Sequence, residues 1–153
     1  MSTDGGMPVE VAKRLGYALK RAQHALRVSM DEVLRPLALT TPQYAVLCAV
    51  EAEAGLSNAR LARAAFVTAQ TMQGVLANLE RDGLLERQAD PTHGRVLRSE
   101  LTDHGRSVLA DAHRAIRIVE DRMIASLGEK AATRLAVSLT KCADDLSRPL
   151  EVN

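Results

Sequence analysis

The chain has 153 residues, 46% of them apolar, only 2% aromatic and 25% charged, with 20 Lys and Arg against 19 Asp and Glu for a net charge of +1. That length holds one domain, or one domain with helical extensions, and a core so poor in aromatics must be built from Leu, Ala and Val, which suits packed helices. No run approaches the roughly 18 apolar residues that span a bilayer, no charged-then-apolar leader opens the chain, and the near-zero charge argues against strong non-specific binding to nucleic acid; the expectation is a soluble, cytoplasmic protein.

Residues 1–8 are small, polar and glycine-containing and read as a disordered start. From Val9 the apolar positions Leu15, Leu19, Ala22, Leu26, Met30, Val33 and Leu37 advance by three or four, the stripe of one helix over 9–37, which Pro36 kinks or ends. Its other face carries Lys13, Lys20, Arg21 and Arg27, a solvated charge run in the simplest reading. Thr41-Pro42 is an N-cap followed by proline at the first helical position and opens a helix to about Glu53, which Gly55 stops.

Two short capped helices follow. Ser57 is an N-cap with Leu56 and Leu61 at the spacing of a hydrophobic staple, so a helix starts at Asn58. Thr68 repeats the arrangement with Val67 and Met72, so a second helix starts at Ala69 and runs to Gly83, where Leu84 is placed to touch Leu79 across a Schellman-type stop. At about 100° per residue, Ala69, Met72, Val75, Leu76 and Leu79 gather on one side of this second helix. The other side carries Gln70, Gly74, Ala77 and Arg81, flanked by Thr71, Gln73 and Asn78. An ordinary solvated face is one reading of it. Such faces usually carry Lys and Glu, however, whereas amides, hydroxyls and small residues suit base edges: Gln pairs bidentately with adenine, and a Thr methyl meets a thymine methyl.

The segments Leu84–Gln88 and Val96–Leu101 flank a turn containing Asp90, Pro91 and Gly94 and suit a β-hairpin, or wing. Arg87, Arg95 and Arg98 fall on or near it, where an Arg reaches phosphate or a narrow minor groove; a solvated turn is the alternative. Arg60 and Arg63, on the first helix of the pair, touch phosphates or are merely solvated. Over 56–102, six Arg (60, 63, 81, 87, 95, 98) face five acids (Glu80, Asp82, Glu86, Asp90, Glu100), so a positive field must come from arrangement rather than bulk charge. Thr102 caps a long helix from Asp103 with the stripe Leu109, Ala112, Ile116, Val119, Met123 and Leu127, ending at Gly128. A last helix from Glu129 sets Leu135, Leu139, Cys142 and Leu146 on one side. These two helices and the first find no further core within the winged segment, so their expected partner is a second copy of the chain, with an intramolecular bundle as the alternative.

Taken together, Thr41-Pro42-Gln43-Tyr44, Leu61-Ala62, Leu79-Glu80-Arg81-Asp82-Gly83-Leu84, Asp90-Pro91, Arg95, Leu101-Thr102 and Gly105 resemble the MarR family of winged helix-turn-helix transcriptional regulators. The resemblance covers nearly the whole chain and implies a mainly α fold with a small β-hairpin wing, divided as residues 1–8, an N-terminal dimerisation helix over 9–37, a winged helix-turn-helix over 41–102 and C-terminal dimerisation helices over 103–147. It implies a homodimer on a palindromic double-stranded operator, a repressor released by a small ligand or an oxidant. Thr68, Gln70, Thr71, Gln73 and Gly74 would read the major groove and Arg95 the minor groove. The family's wing commonly reads Asp-Pro-Arg-Asp-x-Arg, and this chain has Asp90-Pro91-Thr92-His93-Gly94-Arg95. The Asp that usually steadies the last Arg is replaced by His93, which implies a weaker wing contact, or a pH-sensitive one if His93 titrates near its reference value of about 6.5.

For an effector, the resemblance implies a cleft where dimerisation helices meet the winged domain and an aromatic ligand such as a phenolic acid. Tyr17, His24 and Tyr44 are the candidate hydrogen-bonding groups, against the alternative of Tyr and His packed at a helix contact with satisfied tips. Cys48 and Cys142 lie in apolar helical stripes and read as buried packing; the family's thiol sensors carry their Cys near the start of the first helix, where this chain has none. His24, His93, His104 and His113 form no recognised ligand spacing, so no metal is expected, and with no phosphate loop or nucleophile elbow neither a cofactor nor an enzyme is expected. Two other functions stay open: an interaction adaptor with a degenerate winged helix, and an oxidant-sensing regulator using Cys48 or Cys142.

Overall fold

Hydroxyl side chains start most helices of this chain, and left-handed residues end them. In the computed structural model, which describes residues 8–92, 94 and 97–149, α1 covers Val9–Ala12, α2 Leu15–Leu34, α3 Thr41–Ala52, α4 Asn58–Ala64, α5 Ala69–Arg81, α6 Asp103–Leu127 and α7 Glu129–Leu146, with strands β1 at Leu85–Ala89 and β2 at Leu97–Leu101. The fold is thus mainly α with one antiparallel hairpin, a winged helix-turn-helix. Of the expected disordered start, only Pro8 lies among the described residues.

Several expectations need correction. The helix expected over 9–37 is in pieces: the extended backbone of Arg14 (ψ 138°) separates α1 from α2, and the segment with Pro36 is a 3-10 turn, Arg35–Leu37, closed by left-handed Ala38. The cap of α3 is Thr40 rather than Thr41. Thr40 and Gln43 form a capping box, the Gln43 side chain accepting from the Thr40 N–H at 2.8 Å, and Thr41 instead donates its hydroxyl to Asp31 of α2 at 2.6 Å. Asp31 also accepts the Thr41 N–H, so a carboxylate sits at the positive end of α3. Finally, Ala69 is exposed, because the first turn of α5 projects beyond the core.

The chain divides into two compact units, Met1–Ile116 and Arg117–Asn153. In the first, α3, α4, α5 and the hairpin close over a core of Val46, Leu47, Val50, Leu61, Met72, Leu76, Leu79, Leu85 and Leu101. Leu109, Ala112 and Ile116 of α6 belong to the same core. The beginning of α6 is therefore part of the winged unit, contrary to the expectation that its stripe finds no core there. Of the two staple pairs, Leu56, Leu61 and Met72 are buried and Val67 is partly buried against the same core. β1 and β2 pair with Leu85 opposite Leu101 and Arg87 opposite Ser99, and the Gly55 N–H donates to the Ser99 carbonyl at 3.2 Å, drawing the α3–α4 link alongside the wing.

In the second unit, α7 buries none of its residues. Leu135, Leu139 and Leu146 are exposed along it, as are Met123, Ile124 and Leu127 at the end of α6.

Among the described glycines the closest approach is at Gly105, where a Cβ would run into the Leu84 carbonyl oxygen, while a Cβ at Gly74 would meet nothing within 4 Å. Gly105→Ala is expected to lower stability by about 1–3 kcal/mol through overpacking against backbone, and Gly74→Ala to raise it by about 0.5–1 kcal/mol. Urea unfolding of the two variants beside the wild type checks both signs.

Candidate nucleic-acid interface

The face offered by α5 follows from how the helix is held at its ends. Thr68 accepts the Thr71 N–H at 3.1 Å and donates its hydroxyl to Thr71 Oγ1 at 2.9 Å, fixing the first turn. At the other end Gly83 is left-handed (φ +71°), with the Gly83 N–H on the Glu80 carbonyl at 3.0 Å and the Leu84 N–H on the Leu79 carbonyl at 2.9 Å. Both bonds of a Schellman stop are present, with Leu79 and Leu84 buried beneath it. Between these ends Met72, Leu76 and Leu79 point inward, and Thr68, Gln70, Thr71, Gln73, Gly74, Ala77 and Asn78 are all exposed. The five residues singled out on this helix and its cap are therefore all open to solvent. Arg95 and His93 lie outside the described residues.

Most of the arginines nearby are committed to carboxylates. Arg60 makes two 2.8 Å bonds to Glu53, Arg81 bonds to Asp82 and Asn78, and Arg98 lies 4.0 Å from Asp90. Arg87 holds Glu80 through bonds of 2.7 and 2.6 Å that tie β1 to α5. Arg87, read as either a phosphate contact or part of a solvated turn, is here paired with Glu80. The Arg87 hydrogen bonds keep the Glu80 carboxyl below the usual carboxylate range, and Arg60 does the same to exposed Glu53. At the tip of the wing Asp90 accepts the Thr92 N–H at 2.7 Å and so shapes the turn.

The expected effector groups do not converge. Tyr17 and His24 line one shallow concavity on α2 with Lys20 and Arg21. Tyr44 is half-buried on α3, its hydroxyl 3.0 Å from Nδ1 of His113, whose Nε2 is 3.0 Å from Glu51. Tyr44 therefore has the satisfied tip of the packing alternative. A larger concavity of about 950 Å³ is lined by His24, Arg27, Met30, Arg35, Pro42 and Phe66 among others. Phe66 is not among the expected site residues, since an apolar residue between two helices reads as core; its sequence signal is its place in a helix stop that lacks glycine.

Both cysteines are half-buried rather than buried. Burial pushes the Cys48 thiol up, a hydrogen bond from Tyr44 opposes this, and neighbouring Glu51 adds to it. The net direction is opposite to that of a reactive thiol. Among the described residues no His, Cys, Asp and Glu side chains gather into a group that could hold a metal, and no single helix is long and apolar enough to cross a membrane.

A capped helix presenting amides and hydroxyls, braced by a short helix and a β-hairpin, defines a winged helix-turn-helix. The MarR family model matches residues 39–96. The HTH-type transcriptional repressor Rv2887 of Mycobacterium tuberculosis is 37% identical over 131 residues, 86% of this chain and 94% of the relative. Its crystal structure with salicylic acid has a TM-score of 0.72 at 36% identity, covering 84% of this chain and 96% of that one. The transcriptional repressor CouR bound to a 23-mer DNA duplex has a TM-score of 0.82 at 32% identity, covering 88% of this chain and 96% of that one. The chain belongs to the MarR family.

The Glu80–Arg87 fork makes stability depend on pH. A carboxyl whose pKa is depressed by folding adds stability that is complete above its unfolded value, near 4.3, and is lost as pH falls through the folded one. Between pH 6 and pH 3 the wild type is expected to lose more unfolding free energy than Glu80→Gln, with the gap opening below about pH 4.3; urea titrations of both proteins across that range measure it.

Proposed function

We propose that this protein is a sequence-specific DNA-binding transcriptional repressor that acts as a homodimer on a palindromic operator and is released by a small aromatic ligand. The observation that carries the proposal is the α5 surface. Thr68, Gln70, Thr71 and Gln73 stand exposed around the small Gly74, with no Lys or Glu among them, over a helix whose opposite side is core. In this reading the two glutamines pair with base edges, the threonines meet methyl groups or phosphates, and Gly74 lets the backbone approach closely. Arg95 reaches the minor groove from the wing. That CouR is solved on a DNA duplex supports the first half of the proposal.

The dimer is supported by apolar residues the single chain leaves uncovered, among them Leu15 and Leu19 on α2 and Leu135 and Leu146 on α7. A two-fold pair would set two copies of α5 about 34 Å apart, one turn of DNA. The ligand is supported by the salicylic acid bound to Rv2887, and here Tyr17 and His24 are its hydrogen-bonding groups, with Tyr44 acting through His113 rather than on the ligand directly. In this reading the protein is cytoplasmic and carries out no catalysis.

DNA selected from a random pool at about 0.15 M salt provides the test. Saturable binding that survives unrelated competitor is expected, with Gln70→Ala and Gln73→Ala each weakening it by about tenfold or more. Added salicylate is expected to reverse it. Binding lost equally to any competitor overturns the proposal in favour of an interaction adaptor. Sedimentation at micromolar concentration is expected to give twice the chain mass, and Leu135→Glu with Leu139→Glu to give the monomer.

A further inference from the structure

The turn between α4 and α5 carries the chain's single phenylalanine, and it is bare: Phe66 is 96% exposed. One exposed apolar side chain is ordinary. Its backbone is not. Phe66 is left-handed (φ +54°), its N–H donating to the Arg63 carbonyl at 3.2 Å while the Val67 N–H reaches the Ala62 carbonyl at 3.0 Å. This is the same helix stop that Gly83 makes after α5. Glycine suits that position, and a Cβ there is disfavoured. Phe66 keeps the disfavoured backbone and recovers almost no burial within the chain, and such an outlier points to a use elsewhere.

Its location says what covers the ring. Only Val67 separates Phe66 from Thr68, the cap of α5, so Phe66 belongs to the turn that leads into that helix, whose Thr68, Gln70 and Thr71 are exposed. When a second helix enters a major groove by its first turns, the turn leading into it lies at the groove's edge. One helical turn earlier is Arg63, also exposed. Arg60, Arg81, Arg87 and Arg98 all have carboxylates within 4.0 Å; Arg63 has none among the described residues. A bare ring three residues after an exposed arginine that has no carboxylate among the described residues matches the thymine methyl and the phosphate that a groove edge offers together.

We propose that Phe66 is a specificity residue of the DNA interface, its ring packing on a thymine 5-methyl group at the edge of each half-site while Arg63 holds a neighbouring phosphate. This rests on the DNA-binding function above. The competing occupant is a small molecule in the concavity that Phe66 also lines.

The test uses the full-length protein and its selected operator, recopied with single thymine-to-deoxyuridine changes. Deoxyuridine lacks the methyl and keeps every hydrogen-bonding group. Wild type is expected to lose about fourfold at one thymine in each half-site. Phe66→Ala and Phe66→Gly are expected to lose about the same on the thymine operator and to be indifferent to that change. Phe66→Gly should also raise Tm by about 2–4 °C, since it relieves the backbone and gives up almost no packing; weaker binding by a more stable protein cannot be misfolding. Arg63→Gln should weaken all sequences alike and reduce the salt slope by about one per subunit, leaving the deoxyuridine pattern intact. A Phe66→Gly protein with wild-type affinity and an unchanged deoxyuridine pattern overturns the proposal while the repressor function stands, and loss of its salicylate response would assign the ring to the concavity. A wild type that selects no DNA overturns both.

Discussion

The structure turns on a junction of a few atoms where α5 ends and α6 begins. The Thr102 hydroxyl donates to the Gly83 carbonyl at 2.6 Å and accepts the Gly105 N–H at 2.9 Å, and the Thr102 N–H reaches the Leu84 carbonyl at 3.2 Å. One side chain thereby caps α6 and occupies a carbonyl at the stop of α5, with both strands of the wing emerging between them. Because Gly105 allows its helix to touch the Leu84 backbone, there is no slack in the joint. The angle between α5 and the wing is set here, and under the proposed function a helix and hairpin that meet adjacent grooves of one duplex need that angle fixed in advance.

Charge plays a smaller part than in most DNA-facing surfaces. With Arg60, Arg81, Arg87 and Arg98 held by acids, four of the six arginines over 56–102 add little unbalanced field, which lowers the counterion-release term that dominates non-specific binding. In the proposed function, discrimination then falls on the amides and hydroxyls of α5. The arrangement favours a protein that ignores most DNA over one that slides tightly along it. The Glu80–Arg87 fork shows why the acids are retained: it braces β1 against α5 where a purely basic surface would have no such strut.

What could be read from the sequence was local. Ser57, Thr68 and Gly83 announce their roles because a cap needs only its own turn, and the α5 face follows from helical spacing alone. Thr40 and Thr41 were confused because both are capping hydroxyls before Pro42, and only the capping box to Gln43 and the pull of Asp31 on Thr41 distinguish them. The membership of Leu109, Ala112 and Ile116 in the winged core was hidden, since a stripe tells which face is buried and never against what. The convergence of Tyr44 on His113, 69 residues away, and of Gly55 on Ser99 depends on tertiary folding that no short spacing encodes. Phe66 was hidden for the opposite reason: hydrophobicity predicts burial, and here the chain exposes it.

The low aromatic content has a consequence for assembly. A core of Leu, Ala, Val and Met fills the space between α3, α4, α5 and the hairpin but leaves no large rings to extend over the outlying helices, and so Leu15 on α2 and Leu146 on α7 remain about three-quarters exposed. Long helices that bury only part of their stripe within the winged unit are stable when something covers the rest. A symmetric partner supplies the same stripes in return, at no cost in new sequence, and it doubles the number of reading helices at the same time. A composition poor in large rings therefore favours the two-fold arrangement on which the proposed palindromic operator depends.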